Sequence, residues 1–142
     1  MIRFAEYTDI DEIYELIKPY HEESVNELTE TPYDIDVVYN FLDYSVPTTL
    51  VYVKYSKIVG VLIFTEVPMW WANDYYFSDV LFYIKPEYRG GLIGGRLIKT
   101  LTDIGKAEGK VVQLAGLNGK EGVNNAYNKR FTNIGSVYLT RG

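Results

Sequence analysis

The segment that most constrains the fold covers residues 76–117, where a strand, a helix and a second strand are predicted in succession. "YFSDVLFYIK" is rich in aromatic and β-branched residues, as strands are, and Pro86 ends it. Apolar residues then recur at helical spacing from about residue 92 to residue 108, and Gly109 is a natural helix stop. "KVVQLAGL" follows as the next strand. Two strands joined through a helix are expected to lie parallel or nearly so.

The rest of the chain supplies strands and helices around this unit. "MIRFAEY" predicts a first strand, Thr8 with Asp11 predicts a capped first helix, and Asp34 caps a second helix. "TTLVYVKY" and "KIVGVLIFTEV" predict an antiparallel hairpin, and "GVNNAYNKRFTNIG" and "SVYLTR" predict a final helix and strand. The predicted order is β-α-α-β-β-β-α-β-α-β. The fold class is therefore α/β, with a mixed central sheet and helices on both faces, in one domain over residues 1–142.

Charge and composition exclude several classes of protein. The chain has 14 Lys and Arg against 19 Asp and Glu, for a net charge of −5, which argues against nucleic acid as the main partner. It has no cysteine, and no His/Asp/Glu cluster has the spacing of metal ligands, so neither disulfides nor a metal site are expected. No run approaches the ~18 apolar residues of a membrane helix. A cytoplasmic protein without a membrane partner is the expectation.

The glycines in "RGGLIGGRLI" lie where the predicted helix begins. The first turn of a helix presents unpaired N–H groups and the positive end of the dipole, and glycines let a ligand approach that backbone. This pattern favours an anion site, although neither common phosphate-binding signature occurs. A tight turn with a glycine face for close packing explains the same residues, so both interpretations stay open.

"FYIKPEYRGGLIGGRLI" resembles the central motif of the GNAT superfamily of N-acetyltransferases, R/Q-x-x-G-x-G/A at a helix start. Arg89 and Gly94 match it, and Leu92 stands where the family usually has its first glycine. "NNAYNKRFTNIGS" is similar to the family's N-x-x-A-x-x-F/L-Y-x-x-x-G-F in the last helix, with Asn124 matching and Phe131 at the tyrosine position. The order of elements is also the family's.

The resemblance implies acetyl-CoA as cosubstrate. Its pantetheine arm is expected in a gap between the fourth and fifth strands, paired with the fourth, and its pyrophosphate on the amides of residues 89–95. Asn124 is expected to contact the pantetheine from the last helix, unless it is only a cap or turn residue. The predicted cofactor-binding residues are Phe82, Tyr83, Ile84, Arg89, Gly90, Gly91, Leu92, Ile93, Gly94, Gly95 and Asn124.

Acetyl transfer to an amine needs a base for the amine proton and benefits from an acid for the departing thiolate. Asp79 lies where family members carry a carboxylate base, and because Asp is short it is expected to act through water. Phe131 has no proton to give, so Tyr127, one helical turn earlier, is the predicted substitute acid. Asp79 as a strand-end residue and Tyr127 as core packing are the alternatives.

The sequence thus predicts an acetyl-CoA-dependent N-acetyltransferase that acts on a primary amine of a small molecule or peptide. The alternative is a non-catalytic member of the same fold that binds acyl-CoA or a protein partner. The acidic balance and the acidic "HEES" and "ND" segments, the second of which contains Asp74, favour a cationic acceptor. "PMWWAND" is expected to wall the acceptor pocket, to pack in the core or to form a contact in a homodimer.

Overall fold

A computed structural model describes residues 1–20, 32–115, 131, 132 and 134. The strands are β1 (Ile2–Phe4), β2 (Thr49–Lys54), β3 (Lys57–Pro68), β4 (Tyr75–Ile84) and β5 (Val112–Gln113). The helices are α1 (Ile10–Ile17), α2 (Ile35–Ser45) and α3 (Ile93–Glu108). The first eight elements follow the predicted order. The predicted last helix and closing strand fall almost entirely outside the described residues.

The sheet has the order β1-β2-β3-β4-β5, with antiparallel pairing up to β4 and parallel pairing between β4 and β5. The mixed α/β class is therefore confirmed. β5 is far shorter than the eight residues predicted for it, because only Val112 and Gln113 pair, with Phe77 and Ser78. Within the described part of the chain, the parallel pairing thus covers two residues of each strand and lies beside the first half of β4.

Each face of the sheet carries its own apolar core, as expected for a sheet covered on both faces. On one face α1 and α2 place Ile13, Ile17 and Leu42 against strand residues that include Val61 and Tyr83. On the other face, Ile93, Leu97 and Leu101 of α3 contact a second set. That set comprises Leu50, Tyr52, Val59, Leu62, Phe64, Phe77 and Ile84.

Local signals set most of the element ends. The Asp34 carboxylate accepts hydrogen bonds from the N–H groups of Asp36 and Val37 at the start of α2, at 2.9 and 3.3 Å, as predicted. Gly109, with φ 66°, ends α3 in the left-handed conformation that glycine adopts without strain.

The predicted Thr8–Asp11 cap is wrong. The Asp9 carboxylate instead accepts from the Glu6 N–H at 2.8 Å and forms an ion pair with Arg3. Arg3 comes from β1, so a contact outside the local Thr8–Asp11 pattern decides where this helix begins.

Candidate active site

Among the residues that the structure describes, the second half of β4 is paired with a strand on one side, β3. Lys85 N–H donates to the Val59 carbonyl at 2.9 Å, so by antiparallel alternation the backbone of Tyr83 also faces β3. The N–H groups of Phe82 and Ile84 then point away from β3. On that side, among the residues that the structure describes, β5 has already ended. Of the three residues predicted to pair with a ligand, Phe82 and Ile84 thus present backbone groups to a gap, and Tyr83 does not.

The gap opens at Asp79. The register against β3 shifts between Ile63 and Phe64, which pair with Leu81 and Asp79, so Val80 is an extra residue in β4 and forms a bulge. At the same level, the Asp79 carboxylate accepts a hydrogen bond from the Ala115 N–H at 2.9 Å. Asp79 therefore lies at the point where β4 and β5 separate.

The loop between β4 and α3 leads from this gap to the start of the helix. Gly90, with φ 81°, makes the turn that a residue with a side chain would adopt only with strain. Leu92 has φ −90° and ψ −11°, which any residue adopts, and its side chain is 70% exposed. Leu92 thus occupies the position of the family's usual glycine without backbone strain.

The N-terminus of α3 is open. The first helical bond runs from the Arg96 N–H to the Leu92 carbonyl, which leaves the N–H groups of residues 93–95 without a partner in the helix. Leu92, at the N-cap, has no side-chain oxygen that could accept from them. A Cβ on Gly94 would lie 3.3 Å from Cζ of Phe82, so the helix start is close to the open half of β4. Two sets of donors, from the strand and from the helix, thus adjoin one another.

Arg89 fastens the loop to the end of β4. Its Nε donates to the Ile84 carbonyl at 2.8 Å, and its guanidinium lies 4.9 Å from the centroid of the Tyr83 ring. Both contacts hold a positive charge beside the gap, next to the open helix N-terminus.

Tyr20 is a site residue that the sequence reasoning did not single out. It follows α1, and its ring meets the Tyr83 ring edge to face at 6.1 Å. Burial and the negative charge of Asp79 raise the pKa of the Tyr20 phenol. The only signal in the sequence is its position at the end of the helical series Ile10, Ile13, Ile17, Tyr20, which also fits a core residue.

Other predicted residues lie elsewhere. Asn124 and Tyr127 fall outside the described residues, so their roles stay predictions. Trp70 and Trp71 lie in the loop before β4, at the end of the strand remote from Phe82, and are 91% and 62% exposed. They are therefore not core residues. Within the described part of the chain, no group of three or more His, Cys, Asp or Glu is placed to bind a metal, and no helix is long and apolar enough to cross a membrane.

A gap beside the fourth strand followed by an open helix N-terminus is the arrangement that the resemblance to acetyltransferases implies. The sequence model of the acetyltransferase (GNAT) family matches residues 10–131, and the chain belongs to that family. No curated protein sequence matches the chain significantly.

Solved acetyltransferase structures share the fold at low sequence identity. A ribosomal-protein-alanine N-acetyltransferase from Brucella melitensis biovar Abortus 2308 has a TM-score of 0.77 at 18% identity, over 100% of this chain and 98% of that one. A predicted acetyltransferase from Clostridium acetobutylicum, solved with acetyl-CoA, has a TM-score of 0.77 at 15% identity, over 100% and 95%. An aminoglycoside acetyltransferase from an uncultured soil metagenomic sample has a TM-score of 0.70 at 16% identity, over 100% and 97%.

Proposed function

We propose that the protein transfers an acetyl group from acetyl-CoA to a primary amine, which attacks the thioester directly. The observation that carries this proposal is the juxtaposition of the edge of β4 that faces away from β3 with the N-terminus of α3, whose first N–H groups have no partner within the helix. The edge of β4 can pair with the amide groups of an extended arm, and the N-terminus of α3 can bind a phosphate. A molecule with both groups, such as acetyl-CoA, would use both sets of donors.

The residues present fit acetyl-CoA. Phe82 and Ile84 would pair with the pantetheine, and the N–H groups of residues 93–95 would bind the pyrophosphate together with the positive end of the helix dipole. A side chain at Gly94 would occupy this approach. Bound acetyl-CoA supplies the activated acetyl group, and the protein supplies its orientation.

The chain's own groups support the chemistry at the mouth of the gap. The Phe82 N–H would donate to the thioester oxygen as charge builds on it. Asp79 would accept the amine proton through a water molecule, because its side chain is short. Tyr127 would return a proton to the thiolate, as the sequence predicts.

The acceptor proposed is a cationic amine. Two structural neighbours are named for ribosomal-protein alanine and for aminoglycosides, and both descriptions denote amine acceptors. Asp79 places a negative charge near the Tyr20 phenol, and a carboxylate close to an aromatic ring attracts an ammonium group. The Asp74 charge, which the sequence suggested for this purpose, is paired with Lys110. We expect kcat/KM to fall as salt rises, because screening weakens the attraction.

Melting and transfer assays test the proposal on the intact chain. A hundredfold excess of acetyl-CoA over its Kd should stabilise the fold by about 2.7 kcal/mol, and a screen of cationic, neutral and anionic amines should show transfer to the cationic ones. Stabilisation with no transfer to any amine would favour the non-catalytic alternative. If millimolar acetyl-CoA leaves the melting temperature unchanged, acetyl-CoA is not the acetyl donor. If only anionic or neutral amines are acetylated, the acceptor is not a cationic amine.

A further inference from the structure

We propose that Asp79 is also a positioning residue that sets the separation of β4 and β5. Its carboxylate accepts the hydrogen bond from the Ala115 N–H that its own main-chain carbonyl would accept in a regular parallel ladder. The inference rests on the proposed function in one respect, because it takes the gap between β4 and β5 as the binding site of acetyl-CoA. The contact itself, between the Asp79 Oδ1 and the Ala115 N–H, is independent of any ligand.

The register of the parallel pair shows what the contact replaces. Phe77 is paired with Val112, and its N–H donates to the Val111 carbonyl at 2.9 Å. Two residues further along both strands, a regular parallel ladder would bring the Ala115 N–H to the main-chain oxygen of Asp79. The Ala115 N–H instead donates to the side chain of that same residue.

The replacement changes the distance between the strands. A carboxylate extends beyond the backbone by the length of its side chain, so Ala115 is held further from β4 than a ladder bond would hold it. The bulge at Val80 adds a bend to β4 at the same level. Asp79 thus lets the strands separate without leaving the Ala115 N–H unpaired, which would cost free energy in a partly buried place.

Two substitutions separate positioning from acid–base work. Asp79→Asn keeps a carbonyl oxygen that accepts from Ala115 and removes the negative charge, whereas Asp79→Ala removes both. If Asp79 acts as a base, both variants lose that role, and kcat and its pH profile change in both. If Asp79 holds the strands apart, only the Ala variant loses the contact with Ala115, and only that variant binds acetyl-CoA more weakly.

Amide hydrogen exchange reads the contact without any ligand. In the wild type and in Asp79→Asn, the Ala115 amide should exchange slowly, and in Asp79→Ala it should exchange at least roughly tenfold faster. The Phe77 amide, which is bonded to β5 through its own backbone, is the internal control and should be unchanged. Asp79→Leu, which approximates the shape of Asn without an acceptor, takes the place of the Ala variant if the latter fails to fold.

Acetyl-CoA affinity then tests the consequence. We expect Asp79→Ala to weaken binding by roughly tenfold, the effect of one hydrogen bond, and Asp79→Asn to bind acetyl-CoA about as tightly as the wild type. Equal Ala115 exchange in the wild type and the Ala variant would overturn the proposal, and so would equal acetyl-CoA affinity. If the wild type itself binds no acetyl-CoA, the proposed function fails, and the exchange rates alone still decide whether Asp79 holds Ala115.

Discussion

The two halves of β4 have similar residues and different surroundings. The first half, Tyr75–Ser78, pairs with β3 on one side and, at Phe77 and Ser78, with β5 on the other. The second half, Leu81–Ile84, pairs with β3 and leaves its other edge to the gap. Both halves are rich in aromatic residues with high strand propensity. The difference therefore comes from the end of β5 after Gln113, together with the Val80 bulge and the Asp79 contact at that level, and not from the strand propensity of the residues in β4.

The glycines of α3 follow the same division. Gly105 lies beside the closed half of β4, the half that pairs with β5. A Cβ there would lie 2.6 Å from Cγ2 of Val112 and 3.0 Å from the Lys110 carbonyl oxygen, so glycine lets the helix approach β5. At Gly94, beside the open half, the nearest atom would be the end of the Phe82 ring at 3.3 Å. Gly105 thus serves packing, but it lies outside the glycine-rich segment that begins α3, so both interpretations of that segment stay open.

The largest expected effect comes from closing the open half. Gly94→Glu would place bulk and negative charge at the proposed pyrophosphate site and should abolish the ~2.7 kcal/mol of stabilisation by a hundredfold excess of acetyl-CoA. The matched control is Gly94→Gln, which has nearly the same size without the charge and should keep more of the ligand response. Melting curves with and without acetyl-CoA measure both. An unchanged response in the Glu variant would mean that the donor does not use this end of α3.

The next effect concerns the proton that returns to the thiolate. Tyr127→Phe should lower kcat by ~10²-fold or more, with little change in acetyl-CoA affinity, because it removes a general acid and leaves the donor site intact. Steady-state kinetics and a binding titration make the comparison. The matched variant is Phe131→Tyr, which places a phenol at the family's usual position. Nearly full kcat in Tyr127→Phe would end the proposal for Tyr127.

A smaller effect should follow from a side chain in the closed half. Gly105→Ala should lower the free energy of unfolding by roughly 1–2 kcal/mol, because the new methyl group overlaps Val112 and a backbone carbonyl and outweighs the gain in helix propensity. Chemical denaturation measures it, with the exposed Lys106→Ala as control. Acetyl-CoA affinity should stay the same, since the open half is untouched. A Gly105→Ala protein of wild-type stability would show that α3 and β5 are less closely packed than described.

The smallest effect is a pH dependence at the beginning of β4. The hydrogen bond from the Lys110 ammonium, followed by that from the Tyr75 N–H, holds the pKa of Asp74 below its ordinary value. The lowered pKa contributes stability that is complete above the unfolded-state value of about 3.9 and is lost as the pH falls through the lower folded value. Lys110→Met keeps an apolar stem against Tyr75 and removes the charge.

Denaturation of the wild type and of Lys110→Met between pH 3 and pH 7 measures the contribution of this pair. The difference in stability should shrink as the pH falls below about 4. It should be small throughout, because the Asp74 side chain is 46% exposed and salt screens exposed pairs. A difference that grows toward low pH would contradict the assignment.

Several expectations from the sequence stay predictions. Among them are the single domain over residues 1–142, the cytoplasmic location, the homodimer, the roles of Asn124, Tyr127 and Asp79, and the other predicted cofactor-binding residues. Trp70 and Trp71 are exposed, which removes core packing from the alternatives for that loop and leaves the others.

The sequence by itself determined the features that depend on neighbouring residues. Apolar spacing gave the helices, the Asp34 side chain reaches the first turn of its own helix, and Gly109 ends α3 because it tolerates a positive φ. The open start of α3 could be predicted for the same reason, because the first N–H groups of any helix have no partner within the helix.

The tertiary structure alone decided where the sheet opens. Asp79 and Ala115 are 36 residues apart, and only the register of β4 and β5 brings the carboxylate to that N–H. The bulge at Val80 depends on β3, and the contact of Tyr20 with Tyr83 depends on how α1 packs on the sheet. The sequence of one segment does not specify such long-range contacts, because they depend on the free energy of the whole packed chain and not on that of any local element.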